Sequence, residues 1–222
     1  MLLGGRGMVL DFQSSPQAQG AIFQQDIGLA VIVGTPDAQL LAQVAELADE
    51  LICPINNAKY MEQAFQNWSR EDASLMQLPD SIDPAELAVA PSNNTEDTQI
   101  RILKPEELEQ IGDIPEPLRE ELKLELDAGT RIYSTIHHSD PVAFCFPASC
   151  SESLWDVSLD TLSGYRRAGY AEQCVRYAIR AMAEKGYAPV WGVVDSNHAS
   201  RALAEKLGFE ERYRIAVLTR NN

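Results

Sequence analysis

The sequence lacks the features that mark membrane, disulfide-rich and metal-binding proteins. None of its 222 residues falls in an apolar run near the ~20 residues that a membrane-spanning helix needs, so we expect no membrane span. The early apolar stretch is interrupted at Asp11, which argues against a signal peptide. The four cysteines show no Cys-x-x-Cys spacing, and the three histidines form no ligand pattern. We therefore expect a cytoplasmic protein with reduced thiols and no metal site.

Basic residues are also scarce, with 18 Lys and Arg against 33 Asp and Glu and a net charge of -15. Nucleic-acid binding is not expected, because phosphate contacts require clustered Lys and Arg. The charge is uneven: residues 1–96 hold 3 basic and 13 acidic side chains, whereas residues 163–222 hold 10 basic and 6 acidic ones. This change of sign favours an anion site in the C-terminal quarter, although ordinary drift of surface charge explains it as well.

The hydrophobic pattern divides the chain into two parts. In the first part, a polar start predicts a frayed or edge segment. The pattern then predicts a strand at 28–34, helices at 38–51 and 58–68, and weak strands at 74–78 and 87–90. The stretch PSNNTEDT (91–98) consists of turn formers and charges and is the predicted linker. We therefore predict a smaller N-terminal α/β domain at 1–95 and a second domain at 97–222.

The second part has an alternating order of elements that is typical of a mixed α/β (α+β) fold. Strands are predicted at 99–103, 130–138, 141–149, 153–162, 189–195 and 214–220. Helices are predicted at 104–107, 115–129, 170–185 and 199–207. The helix at 170–185 has a regular apolar stripe that includes Cys174.

The connection between the strand at 153–162 and the helix at 170–185 carries glycine and arginine side by side. Gly169 and Ala171 allow close approach to the backbone, and Arg166 and Arg167 add positive charge. Free amides at the start of the helix would bind a pyrophosphate there. From these residues alone, an ordinary glycine turn before a helix is an equally good interpretation.

A second segment, VVDSN followed by ASRALAEKLGF (193–209), distinguishes the two interpretations. Together the segments resemble the GNAT superfamily of acyl-CoA-dependent N-acyltransferases. Arg166-x-x-Gly169-x-Ala171 is similar to the superfamily's Q/R-x-x-G-x-G/A pyrophosphate loop. The run from Asn197 through Leu203 to Gly208-Phe209 resembles its second conserved block. The resemblance covers roughly residues 97–222, and the whole chain looks similar to a subfamily with a divergent N-terminal segment.

The resemblance implies a mostly antiparallel mixed sheet flanked by helices, with acetyl-CoA as co-substrate and no metal. In the superfamily the backbone of one strand pairs with pantetheine and loop amides bind pyrophosphate. The implied cofactor-binding residues are Leu159, Asp160, Thr161, Arg166, Arg167, Ala168, Gly169, Tyr170, Ala171 and Asn197. The phosphates of coenzyme A would then account for the basic C-terminal quarter.

One position departs from the superfamily pattern: Ala204 stands where many members carry a tyrosine that protonates the departing thiolate. We take Asp156 as the candidate general base and Ser200 as the candidate acid, although Ser200 is also interpreted as a capping residue. Other candidates are Asp160, Glu152 and one of His137 and His138 for the base, and His198, Tyr165 and Tyr170 for the acid. Adjacent strand residues face opposite sides, so only one of the two histidines can face the cleft, and an exposed hairpin end is the alternative for both. Asp156 and Asp160 share a face unless a bulge, which is common in this strand of the superfamily, intervenes.

The resemblance implies an N-acetyltransferase that moves an acetyl group from acetyl-CoA to a primary amine of a small molecule or peptide. Attack would be direct, in a ternary complex. The alternative is a degenerate domain that binds coenzyme A or a partner without turnover, which Ala204 keeps open. An unrelated phosphate-binding protein is disfavoured, because neither G-x-x-x-x-G-K-[ST] nor G-x-G-x-x-G occurs. The sequence leaves a homodimer open.

Overall fold

The computed structural model describes residues 7–13, 19–24, 28–88 and 98–221. They form two compact units. The first unit comprises Leu3–Gln77 and Trp191–Asn222, and the second comprises Leu78–Val190. These bounds differ from the predicted domains at 1–95 and 97–222, which stay a prediction. Apart from Thr98, the predicted linker at 91–98 lies outside the described residues.

The elements follow one another as a mixed set of strands and helices. The strands are β1 Gly7–Gln13, β2 Gln19–Gln24, β3 Leu29–Val33, β4 Glu50–Pro54, β5 Trp68–Gln77, β6 Thr98–Ile102, β7 Tyr133–His137, β8 Asp140–Cys150, β9 Leu154–Thr161, β10 Ala188–Val194 and β11 Glu210–Arg220. The helices are α1 Ala38–Leu47, α2 Ala58–Ala64, α3 Pro105–Leu108, α4 Glu116–Asp127, α5 Tyr170–Ala183 and α6 His198–Lys206. Short 3₁₀ helices lie at Ile55–Asn57, Glu86–Ala88 and Ser163–Tyr165.

Most strand pairs within each unit are antiparallel, as the resemblance implied. In the first unit β1 pairs with β2, β2 with β3, and β11 with both β4 and β5, all antiparallel, while β3 and β4 are parallel. In the second unit β6, β7, β8 and β9 pair successively in antiparallel fashion, and β9 is parallel to the start of β10. The predicted mixed, mostly antiparallel fold with flanking helices is confirmed. The polar start of the chain forms an edge pair, because β1 pairs with β2 alone.

Three predicted elements are wrong. The helix predicted at 58–68 ends at Ala64, and Trp68 begins β5. The helix predicted at 38–51 ends at Leu47, and Glu50–Pro54 is a strand. Leu51 fits the helical spacing, but it is fully buried in β4 between β3 and β11, so pairing with both neighbours overrides the local pattern. The weak strand predicted at 87–90 begins instead in the 3₁₀ helix Glu86–Ala88, and residues 89–90 lie outside the described residues.

The second unit packs helices on both faces of its strands. Leu118 and Leu122 of α4 belong to one buried cluster with Phe144 and Phe146 of β8. On the other face, α5 packs against β7, β8 and β9 through the predicted apolar stripe. The Cys174 thiol of this stripe lies 3.2 Å from the carbonyl oxygen of Tyr133, and burial raises its pKa to about 12. A thiol so rarely ionised is a core group, as predicted.

The order of elements repeats along the chain. The series β2–β3–α1–β4–α2–β5 is followed later by the series β8–β9–α5–β10–α6–β11. In each series the first two strands are antiparallel, and the strand after the first helix is parallel to the strand before it. The connection at residues 34–37 therefore has the same place in the first series as the connection at 162–169 has in the second.

Candidate active site

The alternation of side chains along strand β9 continues without a bulge. Its pairing with β8 shifts between Pro147 and Ser149, so the extra residue lies in β8 and the alternation of β9 continues. Asp156 and Asp160 therefore lie on the same face, opposite in direction to buried Trp155. The expectation that Asp156 and Asp160 share a face when no bulge interrupts their strand is therefore confirmed.

One edge of β9 is unpaired within the second unit. β10 pairs with β9 only at residues 154–156, whereas β8 pairs with β9 along its other edge as far as Thr161. The backbone groups of residues 157–161 on the β10 side consequently have no strand partner in this unit. They include the three residues Leu159, Asp160 and Thr161 that the resemblance assigns to pantetheine.

The connection from β9 to α5 leaves the start of the helix open. Gly169, the residue before the helix, has a φ of 86° in the left-handed region, and no side chain caps the first amides of α5. A Cβ at Gly169 would meet no atom within 4 Å, and Ala168 and Gly169 are exposed. Tyr170 and Ala171 begin the helix and are half-buried. Uncapped amides and the positive end of the helix together form a place for an anion.

Two arginines of this connection differ from the other arginines of the basic quarter. Arg166 donates from Nε to the carbonyl oxygen of Thr161 at 3.1 Å, and exposed Arg167, with a φ of 62°, forms no ion pair among the described residues. Six other arginines are paired with acids of the chain: Arg176, Arg180, Arg201, Arg212, Arg214 and Arg220. Most arginines of the basic quarter therefore already have an acidic partner, and the account of its charge by coenzyme A phosphates stays a prediction.

A cavity of about 270 Å³ lies beside this connection, between the start of α4 and the end of β9. Its lining residues are Pro115, Pro117, Leu118, Glu121, Asp160, Thr161, Leu162, Ser163 and Arg166. Partial burial raises the pKa of both the Asp160 and the Glu121 carboxyl. The charge of Asp160 raises the pKa of Glu121 further, whereas the Arg166 guanidinium partly offsets the rise at Asp160. The cavity thus joins apolar walls to two carboxyl groups whose pKa values are raised.

The ring of His137 in β7 packs against two tyrosines at the connection between β9 and α5. His137 is half-buried, with its ring centroid 5.1 Å from that of Tyr170 and 6.1 Å from that of Tyr165. Its buried Nδ1 has no hydrogen-bond partner among the described residues. His138 is exposed in the following turn. Of the two histidines, only His137 therefore contacts the connection. This agrees with the expectation that only one of them can face the cleft.

Asn197, Ser200 and Ala204 belong to the first unit, and each has a structural role there. The Asn197 side chain caps α6 by accepting a hydrogen bond from the Ser200 amide at 3.1 Å. The Ser200 hydroxyl accepts one from Trp191 Nε1 at 2.9 Å. Asn197 rather than Ser200 is thus the capping residue. Ala204 is fully buried and supplies no acid.

Asp156 and Glu121 are further carboxylates near β9. The sequence predicted a role for Asp156 but not for Glu121. Asp156 is half-buried, pairs in register with Ser149 and does not line the cavity. Glu121 lines the cavity from α4. No sequence signal separates Glu121 from the other acids of α4, because that helix is acidic along much of its exposed surface.

Membrane-spanning helices and clusters of metal-ligand side chains are both absent from the described part of the chain. No helix there has the length and apolar character needed to cross a membrane. Within the same residues, no group of three or more His, Cys, Asp and Glu side chains is placed to hold a metal ion.

The C-terminal half of the chain matches a known family. Residues 129–218 match the family described as GNAT acetyltransferase. This segment includes β9, its connection to α5 and the helix α6. No curated protein matches the chain.

Solved structures share the fold over nearly the whole chain. A GCN5-related N-acetyltransferase-like protein from Streptococcus suis has a TM-score of 0.71 at 19% identity, covering 98% of this chain and 90% of its own. A putative GNAT-family acetyltransferase from Novosphingobium aromaticivorans has a TM-score of 0.58 at 18% identity, with coverages of 95% and 92%. A tandem GNAT protein from the clavulanic acid biosynthesis pathway has a TM-score of 0.60 at 12% identity, with coverages of 98% and 84%. At these identities the likeness is one of fold.

Proposed function

Because residues 129–218 match the GNAT acetyltransferase family, we propose that the chain is an N-acetyltransferase that moves an acetyl group from acetyl-CoA to a primary amine. The acceptor is a small molecule or a peptide. The observation that carries the proposal is the open start of α5, where uncapped amides, Gly169 and Arg167 form an anion site inside the matched segment.

The residues around this site suit acetyl-CoA. The amides from Arg167 to Ala171 would bind the pyrophosphate, and the unpaired edge of β9 at 159–161 would bind the pantetheine arm as a further strand. Asn197 keeps its amide group as a donor, because capping uses only its Oδ1. When bound, acetyl-CoA supplies an acetyl group activated as a thioester.

The chain's own part in the reaction is to move two protons. A carboxylate on β9 takes a proton from the acceptor ammonium, so that the neutral amine attacks directly in a ternary complex. Asp156 is the base predicted from the sequence, and Asp160 is favoured by the cavity that it lines. The departing thiolate needs a proton in return. Ser200 is the proposed donor, since its hydroxyl accepts from Trp191 and keeps its own hydrogen. The second proton, which the attacking nitrogen loses as the amide forms, restores the Ser200 hydroxyl.

A domain that binds coenzyme A without turnover is the rival function, and buried Ala204 is the observation that supports it. Half-buried Asp160 supports turnover, because it places a carboxylate that can act as a base at the cavity beside the anion site.

Calorimetry with acetyl-CoA, followed by a thiol-release assay over a panel of amines, tests the proposal. Binding with thiol release supports it. Binding without release from any amine favours the rival. Absence of binding at high micromolar concentration overturns both.

A further inference from the structure

We infer that the acceptor is a small aliphatic amine with a second cationic group, held in the cavity between Asp160 and Glu121, rather than a segment of a protein. The inference rests on the proposed function and names the substrate class of the same site.

The shape of the cavity favours a short stem with polar ends. Its two carboxylates come from different elements, Glu121 from α4 and Asp160 from β9. Pro115, Leu118 and Leu162 supply apolar walls to the same space. Such walls remove the methylene groups of a short aliphatic stem from water, which favours binding.

The charges favour two cationic groups rather than one. The charge of Asp160 disfavours ionisation of the Glu121 carboxyl, and Glu125 adds a third negative charge near Glu121. Arg166 supplies one positive charge, close to Asp160, and its Nε is already occupied by the carbonyl oxygen of Thr161. A ligand with one ammonium at Asp160 would leave Glu121 and Glu125 uncompensated, whereas a second cation relieves their repulsion.

The volume of the cavity suits a short ligand. Its volume of about 270 Å³ corresponds to roughly nine water molecules at about 30 Å³ each. This is slightly below the usual range of about 300–1,000 Å³ for drug-sized ligands. A diamine of four or five carbons fits, whereas several residues of a peptide do not.

Direct binding to the full chain tests the inference without requiring turnover. We would titrate 1,5-diaminopentane, pentylamine and a lysine-containing pentapeptide into the protein by calorimetry, first alone and then with acetyl-CoA in a thiol-release assay. We expect at least tenfold tighter binding and tenfold higher kcat/KM for the diamine than for pentylamine, and a smaller preference at 0.5 M salt, because ions screen the attraction.

The matched variants are Glu121→Gln and Glu120→Gln. Glu120 is the neighbour on α4 that is exposed like Glu121 but does not line the cavity. We expect Glu121→Gln to bring the diamine down to the level of pentylamine, with acetyl-CoA affinity unchanged, and Glu120→Gln to keep the preference. Equal binding of the two amines by the unaltered protein, an unchanged preference in Glu121→Gln, or tighter binding of the peptide would each overturn the inference. Normal acetyl-CoA binding and thiol release in those cases would leave the proposed function standing.

Discussion

Residues 34–37 connect β3 to α1, and residues 162–169 connect β9 to α5, at the same place in the repeated order of elements. In the first connection, Asp37 caps α1 by accepting a hydrogen bond from the Leu40 amide at 2.9 Å. Tyr60 donates to the carbonyl oxygen of Pro36 at 2.9 Å, and Asn57 donates to that of Gly34. The second connection has no side-chain cap.

The difference shows how the same backbone arrangement serves stability in one place and binding in another. The first amides of a helix attract any negative group. At α1 that group is the chain's own Asp37, which would also repel a phosphate. At α5 the amides stay available, and Arg167 adds a positive charge instead. We therefore expect one acetyl-CoA per chain, bound at the second connection.

The largest effect is expected from closing the second connection with Gly169→Glu. A carboxylate where the pyrophosphate approaches costs several kcal/mol by like-charge repulsion, so acetyl-CoA affinity should fall by more than about 100-fold. Calorimetry measures this.

Gly186→Glu is the matched control for that change. Gly186 follows the other end of α5 with a φ of 85°, is exposed, and has equally open surroundings, so the backbone strain is the same. Its acetyl-CoA affinity should equal that of the unaltered protein. Normal binding by Gly169→Glu would remove the second connection as the site.

The next largest effect is expected from Asp160, the carboxylate that lines the cavity beside the second connection. Asp160→Asn should lower kcat/KM by about 100-fold or more, as loss of a general base does, with acetyl-CoA affinity unchanged. Asp156→Asn should have a smaller effect, because Asp156 does not line the cavity. A larger loss in Asp156→Asn than in Asp160→Asn would return the role of base to Asp156.

The pH dependence of kcat/KM provides a second measure of Asp160. A base works ionised, and burial raises the pKa of this carboxyl above the ordinary 3.8. Activity should therefore fall as the pH falls through a value above 3.8. Asp160→Asn should remove this loss of activity at low pH. If the loss persists in the variant, another group is its cause.

A moderate effect is expected from the unpaired arginine. Arg167→Ala should weaken acetyl-CoA binding by about tenfold at low salt, the scale of a charge-assisted contact of about 1.5 kcal/mol, and by less at high salt. Arg180→Ala, which removes a surface arginine paired with Glu184 on the same helix, serves as the control. Equal losses in both variants would indicate a general charge effect rather than a contact.

The smallest effect on binding is expected at the first connection. Asp37→Ala should lower the free energy of unfolding by about 0.5–2 kcal/mol through loss of the helix cap, and leave the number and affinity of acetyl-CoA sites unchanged. Urea denaturation and calorimetry measure the two quantities. Asp37→Asn should be milder, because asparagine also caps helices. A second acetyl-CoA site in Asp37→Ala would show that the carboxylate alone closes the first connection.

The two connections also differ in how much the sequence revealed. The second was predicted because glycine and arginine stand in a spaced pattern between a clear strand and a clear helix. The first gave no chemical signal, since its hydrogen bonds come from Asn57 and Tyr60, far along the chain. Similarly, Glu121 reaches the cavity only through the packing of α4, and Leu51 joins a strand only through pairing with β3 and β11. Local patterns predict elements and loops, whereas contacts between distant segments decide these cases.

Calorimetric titration of the full chain with acetyl-CoA tests the central claim most directly. We predict one site per chain, which Gly169→Glu abolishes and Asp37→Ala retains. Two sites in the unaltered protein, or a site that survives Gly169→Glu, would contradict the assignment of binding to the connection between β9 and α5.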